Sequence, residues 1–255
     1  MSRSYLAGVS LFVAFALLWL PLGQQAFLYA NWMKVGVFMM PFLVFVALSF
    51  SSQQDRDLLR DPSFIALILL SAYIVHQFEE HWIDLYGNVY AFQNSVNAMV
   101  HSVTGAPDNR TGPLSVEAIF VINTSLVWLL GAIAIWQAAR NTFPILAMAA
   151  LVLVNAISHI AAGLVFESYN PGLLSSVVLF VPIALWVYWI LPTSWSFVVL
   201  SLVWAILAHI IMVIGMMAST WWNLVPPVVY FAALVIWSLT PLLVDAGTDV
   251  RTGSK

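Results

Sequence analysis

Runs of about twenty apolar residues follow one another along almost the whole chain, separated only by short polar breaks. A helix rising about 1.5 Å per residue needs roughly 20 such residues to cross a hydrocarbon core of about 30 Å. Inside lipid every backbone polar group has to find its partner within the protein, and a helix does this within a single segment. The runs therefore predict an all-α fold: a polytopic transmembrane helical bundle of about eight spans, with seven to nine as the range. The spans are expected near 5–22, 32–50, 62–82, 113–137, 143–166, 171–191, 195–218 and 221–243. Charged residues make up 7% of the chain, against about 25% in soluble globular domains, which excludes that class. No polar stretch is long enough to fold alone, so residues 1–255 read as one integral membrane domain.

The net charge of −3 argues against nucleic acid, which calls for a basic face. With no cysteine, disulfides, thiolate metal sites and thiol catalysis are excluded. Arg3 precedes the apolar run Leu6 to Leu20 as in a signal peptide. The following Pro21-Leu22-Gly23-Gln24-Gln25 lacks a small-x-small cleavage pattern, so this run is expected to be an uncleaved first span.

Several span starts carry helix signals. Asp61-Pro62 and Asn170-Pro171 each set a capping side chain before a proline at the first helical position. Pro41, Pro182 and Pro226-Pro227 fall inside the expected spans and predict kinks. Trp19, Trp32, Trp82, Trp189, Trp195, Trp221 and Trp222 lie near span ends, as interfacial aromatics do. With eight spans and a cytoplasmic N-terminus, Arg3, Arg56, Arg60, Arg140, Arg251 and Lys255 lie inside, and only Lys34 and Arg110 outside. This satisfies the positive-inside rule and predicts a multi-pass protein of the cytoplasmic membrane with both termini cytoplasmic. The longest connection, 83–112, is expected to be a lid or an interfacial helix.

The ionisable groups are unevenly placed. Glu79, Glu80, Glu117 and Glu167 all fall toward the outer side of this topology. Counted from the span starts, Glu79 lies about 25 Å across the core, His159 about 22 Å and His209 about 21 Å, while Glu117 enters from the outer side by about 6 Å. Asn123 and Asn155 lie nearer mid-membrane. One buried polar site explains this common layer. Its sharpest element is His76-Gln77-Phe78-Glu79-Glu80-His81. On a helix His76 and Glu80 stand about 40° apart, with Glu79 about 60° to the other side of His76 and Tyr73 on the same stripe. Asn155 and His159 are likewise i, i+4 neighbours. Glu117 wants a cation, yet no Lys or Arg lies inside the later spans. A metal, a protonated histidine or a carboxyl proton are the remaining ways to neutralise it. Imidazole and carboxylate ligands suit a divalent metal such as zinc, iron or manganese, as one or two ions. Glu167, Asp84 and His101 read as ordinary loop residues.

These residues resemble a family, the HXXEE-domain bacterial integral membrane proteins. The motif stands here as His76-Gln77-Phe78-Glu79-Glu80, followed in the same order by Asn155-Ala156-Ile157-Ser158-His159 and Pro171-Gly172. The resemblance covers about a hundred residues, from the third span to the start of the sixth. It implies a catalytic or metal-binding role for these polar residues without naming a reaction.

Three functions remain open. The leading one is a membrane-embedded metal-dependent enzyme, a hydrolase or an oxidase/oxygenase, acting on a membrane lipid or other hydrophobic small molecule. In it His76, Glu80, His159 and Glu117 bind metal and Glu79 is a general acid or base or a bridging carboxylate, with Glu80 also a catalytic candidate. Tyr73, Asn123, Asn155 and His209 support the site. The second is a metal-free acid/base lipid isomerase or cyclase, and the third a transporter or metal-ion carrier.

Overall fold

The computed structural model describes residues 7–13, 25–51, 57–105, 112–191 and 193–247. The described residues form nine helices: α1 (7–13), α2 (Gln25–Ser51), α3 (Pro62–His81), α4 (Ala91–Thr104), α5 (Val116–Gln137), α6 (Phe143–Val165), α7 (Leu173–Ile190), α8 (Trp195–Trp221) and α9 (Pro227–Leu243). Six of them, α2, α3, α5, α6, α7 and α8, are long and apolar enough to cross a membrane. The protein is thus a helical, multi-pass membrane protein. The run expected at 5–22 lies largely outside the described residues. The eighth run is shorter than its hydropathy implied, because Pro226-Pro227 starts α9 and does not kink a longer helix.

Local chemistry sets the helix starts. Asp61 caps α3 as expected, its Oδ1 accepting from the backbone N–H groups of Ser63 (2.8 Å) and Phe64 (3.3 Å), with Pro62 in the first turn. Ser115 caps α5 through the Ala118 N–H, and Asn141 Oδ1 accepts from the Phe143 N–H at the start of α6. Asn170 does not cap α7. Its side chain is engaged elsewhere, and Gly172, at φ +94°, makes the turn into Leu173.

The core lies between α3, α5 and α6. In α5, 94% of the span is buried, against 22% in α8, so α5 is enclosed by protein while α8 presents most of its surface outward. The first half of α6, Phe143 through Val152, is apolar and fully buried. α6 packs against α8, α5, α7 and α3. The small helix α1 lies on α5, where Gly8 allows its backbone to approach Trp136. Trp189 and Trp195, 84% and 82% exposed, suit an interfacial belt. Trp32 does not: it is fully buried, between the rings of His81 and Trp128.

Connections gather at two ends. At the end where α3 finishes lie the loop 82–90, α4 and the turn 166–172. There the Tyr169 hydroxyl accepts from the Leu85 N–H at 3.0 Å. At the other end, Asn141 donates to the Val244 carbonyl. The long connection is partly helical: α4 lies across the first end and carries His101, which is therefore a helical and not a loop residue.

Candidate metal centre

The last two turns of α3 carry His76, Gln77, Glu79, Glu80 and His81, all buried. A helix end so rich in polar groups persists in an apolar bundle only if each group is answered by a partner. The partners come from three other helices.

Glu80 is the centre. Its Oε2 lies 3.5 Å from His76 Nε2 and 2.9 Å from His81 Nε2, and its Oε1 lies 3.5 Å from His159 Nε2 on α6. One ligand atom from each of His76, Glu80 and His159 falls within 4.8 Å of the others. The rings of His76 and His159 meet edge to face, 5.0 Å between centroids, and Phe180 of α7 covers His76 at 4.2 Å.

Hydrogen bonding on the far side of each ring fixes the tautomers. The Ser175 hydroxyl donates to Glu79 Oε2, so at its 2.9 Å contact with His76 Nδ1 it is the acceptor. Asn170 donates its Nδ2–H to the His159 carbonyl, which turns its Oδ1 to His159 Nδ1 at 2.7 Å. Both imidazoles therefore carry a proton on Nδ1 and turn Nε2 toward Glu80. His76 Nε2 is buried without any hydrogen-bond partner. Two oriented imidazoles and one carboxylate, each held by an outer hydrogen bond, are the donor set and support that a divalent cation calls for. The cluster could hold such an ion.

Glycine closes the arrangement. A Cβ on Gly172 would stand 2.8 Å from Cε1 of both His76 and His159. Only glycine fits here, on grounds of space and of its positive φ.

Glu79, the neighbouring carboxylate, turns away from the cluster. It accepts from the Tyr169 hydroxyl (2.9 Å), the Leu174 N–H (3.1 Å), the Ser175 N–H (2.7 Å) and the Ser175 hydroxyl. Two of these donors are free backbone N–H groups of the first turn of α7, so Glu79 caps that helix from outside it. Burial, followed by the hydrogen bond to Glu79 and its charge, raises the pKa of Tyr169 well above the ordinary tyrosine value. Its hydroxyl stays a donor.

A directional relay supports the other flank. The Trp128 indole N–H, a donor only, bonds Gln77 Oε1 at 2.9 Å; Gln77 Nε2 then donates to Asn123 Oδ1 at 3.0 Å. That leaves Asn123 Nδ2 to donate to the Ile119 carbonyl and to His81 Nε2, each at 3.0 Å. His81 Nε2 thus stands between that amide and Glu80 Oε2, 2.9 Å away.

The remaining sequence candidates divide. Tyr73, Asn123, Asn155 and His209 line one cavity with Glu80 and His159. Glu117 lies apart, exposed in the first turn of α5, where the helix N-terminus stabilises its charge. Asp84, expected to be a solvated loop charge, is buried and accepts from Tyr86, Asn88 and the Asn88 side chain. Sequence reading missed the roles of His81, Gln77, Trp128, Asn170 and Ser175. Ser175 in particular carries no motif; only the docking of α7 on α3 brings it to His76.

The cavity, of about 320 Å³, is walled mainly by apolar side chains of α4, α5, α6 and α8 and reaches the cluster at Glu80 and His159. On α4 the facing residues are Phe92, Ser95, Val96 and Met99, one helical stripe.

No curated protein and no solved structure matches this chain. Residues 67–187 match the family model described as "Protein of unknown function with HXXEE motif", a stretch that contains His76, Glu80, His159, Asn170, Gly172 and Ser175. The chain thus carries, from the middle of α3 to the end of α7, a domain of the HXXEE family.

Proposed function

We propose that this protein is a membrane-embedded, metal-dependent enzyme acting on a lipid or other hydrophobic substrate. The observation that carries the reading is the junction of the His76–Glu80–His159 cluster with an apolar cavity. Two of the three donor residues, Glu80 and His159, form part of the cavity wall. Three protein ligands leave open coordination positions, as catalytic sites do and closed structural sites do not. A bound zinc, iron or manganese ion would supply Lewis-acid or redox chemistry to an oxygen-bearing group on the substrate.

The chain's own residues do the rest. His76 and His159 hold their lone pairs in place through Ser175 and Asn170. Glu80 supplies the negative charge, and His81, 2.9 Å from its Oε2, is placed to take or return a proton there. The apolar walls exclude water and select a hydrophobic molecule. The half of α6 toward the other end of the bundle, Phe143 through Val152, is apolar and buried, which favours an enzyme over a carrier.

A metal-free isomerase or cyclase is the second reading, favoured by the His81–Glu80 contact alone. Elemental analysis of protein purified in mild detergent separates the two, comparing wild type with His76→Ala and Glu80→Ala. The expected result is near-stoichiometric zinc, iron or manganese in wild type and its loss in both variants. A wild-type protein that stays metal-free after reconstitution would sink the metalloenzyme and leave proton transfer through Glu80 and His81.

A further inference from the structure

The cavity holds two polar groups that the metal cluster does not use. Asn155 lies one helical turn from His159 on α6, about 6 Å along the axis, and its Oδ1 is buried without a hydrogen-bond partner. His209 of α8 lines the same cavity. Its Nδ1–H donates to the Ala205 carbonyl at 2.8 Å, so its free ring nitrogen, Nε2, is an acceptor. Both unused atoms are therefore acceptors; beside them Asn155 Nδ2 can donate, and the neighbouring lining residues Leu151, Met212 and Val213 offer no donor.

We infer that this wall of the cavity is a recognition subsite for a hydroxyl group on an otherwise apolar ligand. A buried acceptor without a donor is stabilised by a ligand that brings one. An ammonium would also bring donors, but no carboxylate lies on this wall, and a charge at this depth is costly. A neutral hydroxyl meets the acceptors without that cost. The ligand class is a lipid alcohol. Its hydroxyl lies about one helical turn from whatever group it presents to Glu80 and His159, and its apolar body fills the 320 Å³. That volume is at the small end of ligand pockets and takes one short chain or a compact ring system in place of a whole two-chain lipid. The assignment deepens the proposed function by naming its substrate class, but binding at Asn155 and His209 needs no metal.

The test uses the full-length protein in lipid nanodiscs after metal has been stripped, so that it stands apart from elemental analysis. A decan-1-ol derivative carrying a terminal diazirine is photolysed, and labelling of cavity peptides is competed with decan-1-ol, decane or decan-1-amine at equal bilayer mole fraction. Decan-1-ol is expected to protect at roughly tenfold lower mole fraction than either competitor. Asn155→Leu, which keeps the side-chain size in an apolar helix, and His209→Phe should each bring decan-1-ol down to the level of decane while the cavity still labels. Equal protection by alcohol and hydrocarbon in the wild type, stronger protection by the amine, or an alcohol preference that survives both substitutions would each overturn the assignment.

Discussion

Residues one position apart in the HXXEE motif have different work to do. Glu79 and Glu80 differ by about 100° around α3, enough to send one carboxylate to the first turn of α7 and the other to three imidazoles. The spacing of His76 and Glu80 was legible in the sequence, since i, i+4 neighbours share a face. Which of the two glutamates joins the cluster was not, because that depends on where α7 lands. Depth along the helices brought His159 into the same layer correctly, yet it also brought Glu117, whose angular position on α5 faces outward. Ser175 and Asn170 set the His76 and His159 tautomers without touching the ion site. Ser175→Ala and Asn170→Ala are expected to weaken metal affinity by roughly 10–100-fold, the usual effect of losing an outer hydrogen bond to a ligand. Titration with a competing chelator measures this directly, and unchanged affinity in both variants would mean the rings are oriented by packing alone.

Among the elements, α5 departs most from a regular helix. Over Asn123–Leu129 it widens into i→i+5 turns. In a regular α-helix Asn123 and Trp128, five residues apart, would diverge by about 140°. The wider turn returns them to one face, where both bond Gln77. Periodicity reading assumes 3.6 residues per turn and passes over such a pair; wide turns of this kind recur at functional sites. Trp128→Phe keeps the bulk but leaves Gln77 Oε1 buried and unpaired, a cost of about 1–3 kcal/mol, to be read as a lowered unfolding midpoint in mixed micelles. Asp84 was expected to be a solvated loop charge and instead organises the loop 82–90. Burial pushes the Asp84 carboxyl up, but hydrogen bonds from the Asn88 side chain and from the backbone of Asn88, Tyr86 and Gly87 outweigh it and hold the pKa below the ordinary aspartate value. A depressed carboxylate contributes stability above its unfolded value, about 3.9, and loses it as pH falls through the lower folded value. Amide exchange in residues 84–90 should therefore be protected at pH 5 and lose that protection in the acid range below about pH 4. In Asp84→Asn that pH dependence should be absent.

For the whole molecule, the helical, membrane-spanning class was plain from the apolar runs, since few other structures satisfy the backbone in lipid. Span count was less so: hydropathy registers apolar length but not the break between Trp221 and Pro227. The structure sets the loop 82–90 and the turn 166–172 at one end, and Arg140 and the Val244 strand of chain at the other. Because the sequence has no cysteine, single replacements give clean topology markers. Tyr86→Cys and Arg140→Cys should react with an impermeant maleimide from opposite sides of sealed vesicles; labelling of both from one side would refute the two-ended arrangement. The ties across the cluster also bear on how the protein is made. His76 and Glu79 meet their partner Ser175 across 99 and 96 residues of chain. During biosynthesis α3 leaves the ribosome with its polar end long before α7 exists to receive it. A polar group at the end of a span can wait in the hydrated headgroup layer, whereas one at mid-span would have to wait in hydrocarbon. The position of the motif in the closing turns of α3 thus suits a site that is completed only when the insertion machinery has delivered α7.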